Sequence, residues 1–350
     1  MASGSGAGQR PTCESGFNSP VSTPAEFDGL TRERVLSAYG IVLRARYLDD
    51  RRFILNRAGK LAFIISPRGH EVAQVAAITA LQPGRDRFCL YYRDFAAALA
   101  CGFTPEELML SAFARAADPS SGGRQTPGNF GSRRRGIIIG SSAVGTQIPK
   151  AAGIGLALKW RAEGALCFVS FGEGATSQGD FHEGLNFAAL HRCPVVFLCE
   201  NNHWAISVPE ARQVAGPGVA SRAAAYGIPG VAVAGDDFLA VHAAVRAAAE
   251  RARRGDGPTL IEARVLRLQS HSTDDDQRAY RDPAELEAEA AKDPVPRMRA
   301  WLLAVGWLTE PDDARLQEEV AREVEAATVS AEAAPEPDPS TLTRHVYADG

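Results

Sequence analysis

Two short segments of this chain combine residue types that can hold an anion and a metal ion together. One reads Gly172-Glu173-Gly174-Ala175-Thr176-Ser177, and the other Glu200-Asn201-Asn202-His203-Trp204. Glycines at 172 and 174 let backbone N–H groups come close to an anion where a helix begins, and the helix dipole there favours negative charge. Glu173 cannot itself bind a phosphate. Its carboxylate and the Asn202 amide oxygen are, however, hard oxygen donors suited to Mg²⁺, an octahedral ion that commonly bridges protein carboxylate to phosphate oxygens. One Mg²⁺ would reconcile the acid with a diphosphate. Between Gly174 and Asn201 lie 26 residues, room for one helix and one strand returning to the same edge.

Those positioning elements can be read from the pattern. ALCFVSF (165–171) is a short apolar run ended by Gly172, and PVVFLCE (194–200) is another ended by Asn201-Asn202. Each fits a buried strand, with Ser177 to His191 between them as a helix that puts Phe181, Leu185 and Ala188 on one face. Further runs, VAVAG (231–235) and TLIEARVLRL (259–268), flank a helix from Phe238 to Arg254. Strand and helix alternating in this way imply an α/β fold, a parallel sheet with helices on both faces. Ligands of such sheets sit beyond the carboxyl ends of the strands, where both segments fall. The early third is mainly helical, with apolar residues at helical spacing over Thr31 to Asp50 and Val72 to Leu81. Thr104-Pro105-Glu106-Glu107 opens a further helix, Pro105 to Ala116.

Composition sets the outer limits. With 350 residues, 45% of them hydrophobic, a sizeable core is available, and residues 29–328 read as one domain. Residues 1–28, rich in Gly, Ser and Pro, and residues 329–350, poor in core-forming side chains, read as tails. A net charge of −4 offers no field for nucleic acid or an anionic membrane, and no apolar run reaches membrane-spanning length. Cys13, Cys89, Cys101, Cys167, Cys193 and Cys199 lack CxxC spacing and read as reduced, mostly buried thiols, so a cytoplasmic location is expected. Gly172-x-Gly174 and Gly153-x-Gly155 have Ser177 and Leu158 where a dinucleotide fingerprint needs its third glycine, which disfavours a nucleotide-binding oxidoreductase. No phosphate-binding P-loop sequence is present. His182-Glu183 lacks a second histidine, because Asn186 occupies that position, and reads as a helix-surface pair. Arg133-Arg134-Arg135 reads as a solvated loop.

The Gly-x-Gly to Asn-Asn spacing resembles the thiamine-diphosphate signature Gly-Asp-Gly to Asn-Asn, with Glu173 in place of the more frequent Asp. Across roughly residues 30–325 the chain resembles the alpha subunit of branched-chain 2-oxoacid dehydrogenase. The matching stretches are Tyr91-Tyr92-Arg93-Asp94, Gly123-Arg124-Gln125, Ser141-Ser142 through Thr146-Gln147-Ile148-Pro149, Phe171 through Ser177, Glu200-Asn201-Asn202, and His271 through Asp276 leading to Tyr280-Arg281. The resemblance implies a transketolase-like, thiamine-diphosphate-binding fold. By it, Glu173, Asn202 and the backbone carbonyl of Trp204 ligate Mg²⁺. Tyr92, Arg93 and His271 contact the diphosphate, with His271 as the catalytic residue. Ser142, Gly172, Gly174 and Ala175 line the cofactor, and Val144 lies beneath its bent middle. Ser141, Thr146 and Gln147 form a monovalent-cation site for which K⁺ is a candidate. Two stretches depart from the family pattern: Thr126-Pro127-Gly128-Asn129, and Trp204 where Tyr or Phe is usual.

The chemistry implied is the cofactor's own: its C2 carbanion attacks the 2-oxo group, the ring accepts the electrons released with CO₂, and the acyl fragment passes to lipoamide. Activation needs a carboxylate at the aminopyrimidine end, and the chain has no second domain to supply it. A beta subunit in an α2β2 heterotetramer and a lipoyl acyltransferase are therefore the implied partners. Branched 2-oxoacids such as 3-methyl-2-oxobutanoate are the expected substrates, with pyruvate or acetoin dehydrogenase as the alternative and a noncatalytic alpha-like scaffold as the alternative of another class. Ser272 matches a serine whose phosphorylation switches off some relatives.

Overall fold

The computed structural model describes residues 29–344, 346 and 347. The N-terminal tail read over 1–28, and Cys13 within it, lie outside the described residues. Five parallel strands form the central sheet: β1 (Arg87–Cys89), β2 (Cys167–Gly172), β3 (Val195–Asn201), β6 (Gly230–Ala234) and β7 (Thr259–Arg264), in the order β1-β2-β3-β7-β6. A two-residue antiparallel pair, β4 (Trp204–Ala205) with β5 (Val208–Pro209), follows β3 directly. The strands read from the apolar runs are all present, and the short β1 adds one that the sequence did not announce.

Alternation along β2 and β3 divides the interior in two, because successive side chains of a strand point to opposite faces. Cys167, Val169, Phe171, Val195, Phe197 and Cys199 enter one apolar cluster, with residues of α5 (Gln147–Arg161) and α6 (Gly179–Leu190). Phe168, Val196 and Leu198 enter the other. That second cluster draws on α1 (Arg32–Arg57), α2 (Glu71–Thr79), α3 (Phe95–Ala100), α4 (Pro105–Ala112), α7 (Phe238–Arg253), α9 (Pro294–Ala304) and α10 (Glu310–Ala333). The remaining helix, α8 (Pro283–Ala290), buries none of its residues. Helices thus cover both faces, as the repeated strand–helix pattern requires.

Helix starts follow local chemistry. Thr104 caps α4 in a reciprocal box: its hydroxyl accepts from Glu107 N at 3.1 Å while Thr104 N donates to Glu107 Oε2 at 2.9 Å. Thr31 and Asp237 cap α1 and α7 through Arg34 N and Ala240 N. Gly153 and Gly155 fall inside α5 and not in a strand–helix turn, which removes that pair as a dinucleotide fingerprint. A Cβ on Gly155 would meet Val195 Cγ2 at 2.5 Å, so this glycine serves close helix–sheet packing.

The C-terminal tail read from 329 begins too early. Helix α10 runs on to Ala333, with Ala327 and Ala331 buried. Arg115 Nη2 donates to Glu332 O at 2.8 Å, and Ala116 N to Pro335 O at 3.1 Å. Alanine supplies little apolar bulk, but it is the best helix former and lets two helices approach closely. A composition-based tail boundary missed that. The five described cysteines, Cys89, Cys101, Cys167, Cys193 and Cys199, are free thiols and buried. No helix among the described residues is long and apolar enough to cross a membrane.

Candidate cofactor and metal site

Neighbouring strands bring the two chemical segments together. Gly172 at the end of β2 stands opposite Glu200 near the end of β3, so Glu173 and Asn202 leave adjacent strand ends. β7 lies on the other side of β3, which brings the loop after it, with His271, to the same edge. A cavity of about 280 Å³ opens there. It is lined by Tyr92, Arg93, Ser141, Ser142, Val144, Gln147, Gly172, Glu173, Gly174, Ala175, Asn202, Trp204 and His271, together with Tyr91, Ala205 and Ile206. Of the site residues named from the sequence, Thr146 alone is not in the lining. Its hydroxyl donates to Ala143 O at 3.0 Å within the same turn, and Gln147 Nε2 donates to Ser170 O at 3.1 Å. Ser141 Oγ accepts from Ala143 N at 3.2 Å.

The local backbone at the first segment differs from the expected helix start. Residues Glu173–Ser177 form a 3₁₀ turn, and α6 begins only at Gly179. Space beside Gly172 is open, so a side chain there would project into the cavity, and a Cβ on Gly174 would meet Ala205 Cβ at 2.9 Å. Beyond Asn202, His203 and Ile206 take left-handed backbone, φ 67° and φ 54°. For a β-branched residue such as Ile206 that conformation costs on the order of 1–3 kcal/mol. It is held by Arg267, whose Nη1 donates to Ile206 O at 2.8 Å. His203 is fixed through Asn201 Oδ1, which accepts from His203 N at 3.0 Å, and through Glu210 at 2.6 Å.

Two opposite charges face this cavity without charged partners of their own. Glu173 is 1% exposed. Its oxygens accept from neutral donors, the Asn202 backbone N–H at 3.2 Å and the Gln213 side chain at 3.2 Å. Burial raises its pKa above the ordinary carboxylate range. Arg93 is 2% exposed and donates to the Ser66 carbonyl at 2.5 Å and the His271 carbonyl at 3.4 Å. Among the described residues no carboxylate pairs with it. The Tyr92 ring lies 5.7 Å from its guanidinium carbon. A divalent cation at the acid and an anion at the arginine would relieve both burdens. No three His, Cys, Asp or Glu side chains among the described residues converge on a metal position, so a cation here needs mixed oxygen donors. Glu173 and Asn202, whose Oδ1 accepts from Trp204 N at 3.1 Å, are of that kind.

His271 lies beside Arg93, with Nδ1 3.4 Å from the Arg93 Nη2, and its ring centroid stands 6.0 Å from that of Tyr92. Burial, and the Arg93 and Arg267 guanidinium groups, lower its pKa to about 4. An unfolded histidine takes up a proton near pH 6.5 (about 6.5), so between those values the unfolded chain binds more protons than the folded one. Stability present above the upper value is therefore lost as pH falls through the window. A ¹³C NMR titration should place His271 near 4, and the loss of stability over this window should be smaller in His271→Gln. Titration near the ordinary value would remove Arg93 from the side of this ring.

Several members of the site had no role assigned from the sequence, Tyr91 and Asp94 among them although they stand in a matching stretch. His70, Gln74, Tyr91 and Asp94 converge on Glu200 beneath the cavity floor, from elements more than 100 residues away in sequence. Burial, and then the neighbouring Glu200 carboxylate, push the Asp94 carboxyl well above its usual range. Gln213 reaches Glu173 from a loop with no motif of its own. Ala205 and Ile206 had a signal, since they follow Trp204 directly. The departing stretch 126–129 also has a place: Asn129 Nδ2 donates to Ser142 Oγ at 3.2 Å, and Gly128, φ 99°, passes so close that a Cβ would meet Tyr92 O at 2.5 Å.

Residues 39–340 match the family model described as dehydrogenase E1 component. The chain is 48% identical over 320 residues to the 2-oxoisovalerate dehydrogenase subunit alpha of Bacillus subtilis, covering 91% of this chain and 97% of that one. It is 34% identical over 330 residues to the human mitochondrial 2-oxoisovalerate dehydrogenase subunit alpha, covering 94% and 74%. The Arabidopsis thaliana mitochondrial subunit alpha 2 of the same name is likewise 34% identical, over 331 residues, covering 94% and 70%.

Proposed function

The chain belongs to the dehydrogenase E1 component family, among the alpha subunits of branched-chain 2-oxoacid dehydrogenases, and we propose that its cavity holds thiamine diphosphate and Mg²⁺ for the oxidative decarboxylation of branched 2-oxoacids. The observation that carries this reading is the pair of buried opposite charges, Glu173 and Arg93, that face one cavity with only neutral hydrogen-bond partners. Glu173, Asn202 and the Trp204 carbonyl hold the metal. Arg93, Tyr92 and His271 bind the diphosphate, for which an always-protonated arginine is suited. Open space at Gly172 and the close packing of Gly174 let the chain run beside the phosphates. Val144, 40% exposed, presents an apolar surface to the middle of the cofactor. The turn at Ser141, Thr146 and Gln147 offers the oxygens for a K⁺ ion that would stiffen this wall.

Bound thiamine diphosphate supplies a carbon nucleophile for the 2-oxo group and a sink for the electron pair left by CO₂. This chain's own residues bind and orient the diphosphate half. The carboxylate that activates the opposite end comes from a beta subunit, and the acyl group leaves on the lipoyl arm of an acyltransferase. The purified chain alone should therefore not turn over 3-methyl-2-oxobutanoate, while co-purified alpha and beta subunits should, with higher kcat/KM than for pyruvate. Each methylene contributes only about 1–3 kcal/mol of discrimination, so the preference is modest. Robust turnover by the single polypeptide would overturn the subunit reading, and a clear pyruvate preference the substrate reading.

A further inference from the structure

A carboxamide that serves a metal must present its oxygen, yet its oxygen and nitrogen occupy nearly the same shape and a half-turn exchanges them. Something has to set that choice at Asn202. One side is given by Trp204 N, which donates to Oδ1. On the other, Asn202 Nδ2 stands 3.5 Å from His70 Nε2. His70 is fully buried, and its Nδ1 is 2.7 Å from Glu200 Oε2. The same oxygen accepts from Gln74 Nε2 at 2.9 Å and from the Tyr91 hydroxyl at 3.0 Å. An oxygen that gathers donors in this way is an acceptor toward His70 as well, so the imidazole proton sits on Nδ1. Nε2 is then a bare lone pair, and the group it can face is an N–H.

We propose that His70 is a positioning residue for the metal site: with Nδ1 bound to Glu200, its Nε2 accepts from the Asn202 amide nitrogen and holds the amide oxygen toward the cavity. In the exchanged orientation Oδ1 would oppose the Nε2 lone pair, and Nδ2 would oppose the Trp204 N–H. Both contacts would then be repulsive. The chain therefore carries its metal geometry one layer deeper than the lining, on a histidine 132 positions away from the residue it orients. The inference rests on Asn202 being a metal ligand, and it assigns His70 no contact with metal or cofactor.

Two variants separate positioning from bulk. In His70→Asn the amide reaches Glu200 as Nδ1 does but leaves nothing at Nε2, whereas in His70→Gln the longer side chain returns an acceptor to that point. Thiamine diphosphate binding to the full chain, followed by tryptophan fluorescence during an Mg²⁺ titration, reads the effect without activity. H70N should raise the half-saturating Mg²⁺ about 10–100-fold and H70Q less than about threefold, as expected when a partner behind a metal ligand is lost or kept. Melting in the absence of Mg²⁺ reports folding, and a non-folding H70N is replaced by His70→Leu with the same expectation. An unaltered Mg²⁺ requirement in H70N, or equal losses in both variants, overturns the role of His70. An unmodified chain that binds the cofactor without Mg²⁺ instead overturns the metal reading beneath it.

Discussion

Glu173→Gln and Asn202→Ala should each weaken Mg²⁺-dependent thiamine diphosphate binding at least about 100-fold, because each removes an oxygen from an ion that tolerates little irregularity. The two variants should differ in stability. Burial lifts the Glu173 pKa, so its folded-state value lies above the unfolded one. Stability from such a group is complete at low pH and is lost as pH rises through the folded value, so at neutral pH the charged carboxylate opposes folding. The glutamine keeps the shape, can still accept from the Asn202 backbone N–H, and removes that opposition. Glu173→Gln should accordingly melt no lower than the unmodified chain without metal, and it should gain nothing when Mg²⁺ and cofactor are added. Asn202→Ala instead leaves Trp204 N without its acceptor and should cost about 1 kcal/mol. Isothermal titration with melting curves in and out of Mg²⁺ checks both. Normal cofactor affinity in the two variants would refute the site, and a large loss of metal-free stability in Glu173→Gln would make Glu173 a structural acid.

What was legible in the sequence was the part fixed by local pattern. Apolar runs of strand length, each ended by a turn, fixed β2 and β3, and the residues just past their ends needed no tertiary knowledge to be placed at one sheet edge. β1 is three residues long within Arg87–Tyr92, too short for a period to show. Helix α5 escaped notice because Gly155 interrupts its apolar face, although that glycine is what lets it lie against β3. In α1 the helix runs past Asp50 through Arg51 and Arg52, and the buried Arg52 guanidinium lies 4.0 Å from the centre of the Phe95 ring, a contact no helical period reveals. Resemblance supplied most of the residues that touch the cavity, Ala205 and Ile206 excepted. It did not supply His70, Gln74 or Gln213, and it gave Asp94 no role, because these roles exist only once separate elements have packed.

Ser272→Glu should lower lipoamide-dependent turnover of the assembled enzyme about tenfold or more, while Ser272→Ala should change it little. The loop after β7 is pinned at few points. Thr273 N donates to Ile64 O at 3.0 Å, and Ile64 N donates back to Thr273 Oγ1 at 3.1 Å. Asp275 Oδ2 accepts from His271 N at 2.8 Å and from the Tyr280 hydroxyl at 2.5 Å. That hydroxyl accepts in turn from Arg267 at 2.8 Å. These contacts hold His271 beside Arg93, where the diphosphate is proposed to bind. A negative side chain at 272 would stand beside Asp274, Asp275 and Asp276 and next to His271. A like-charge contact at about 4 Å costs about 1 kcal/mol in water and about 4 kcal/mol near a protein surface. Repulsion from the acids and from the bound anion should therefore loosen the loop and withdraw His271 from the cavity. The alanine variant loses only the hydroxyl that accepts from Asp274 N at 3.3 Å, a solvent-side contact worth less than about 1 kcal/mol. Turnover of both variants is measured beside protease cleavage within residues 270–282. A glutamate variant with near-normal turnover and a protected loop would mean that this segment does not lie against the bound cofactor.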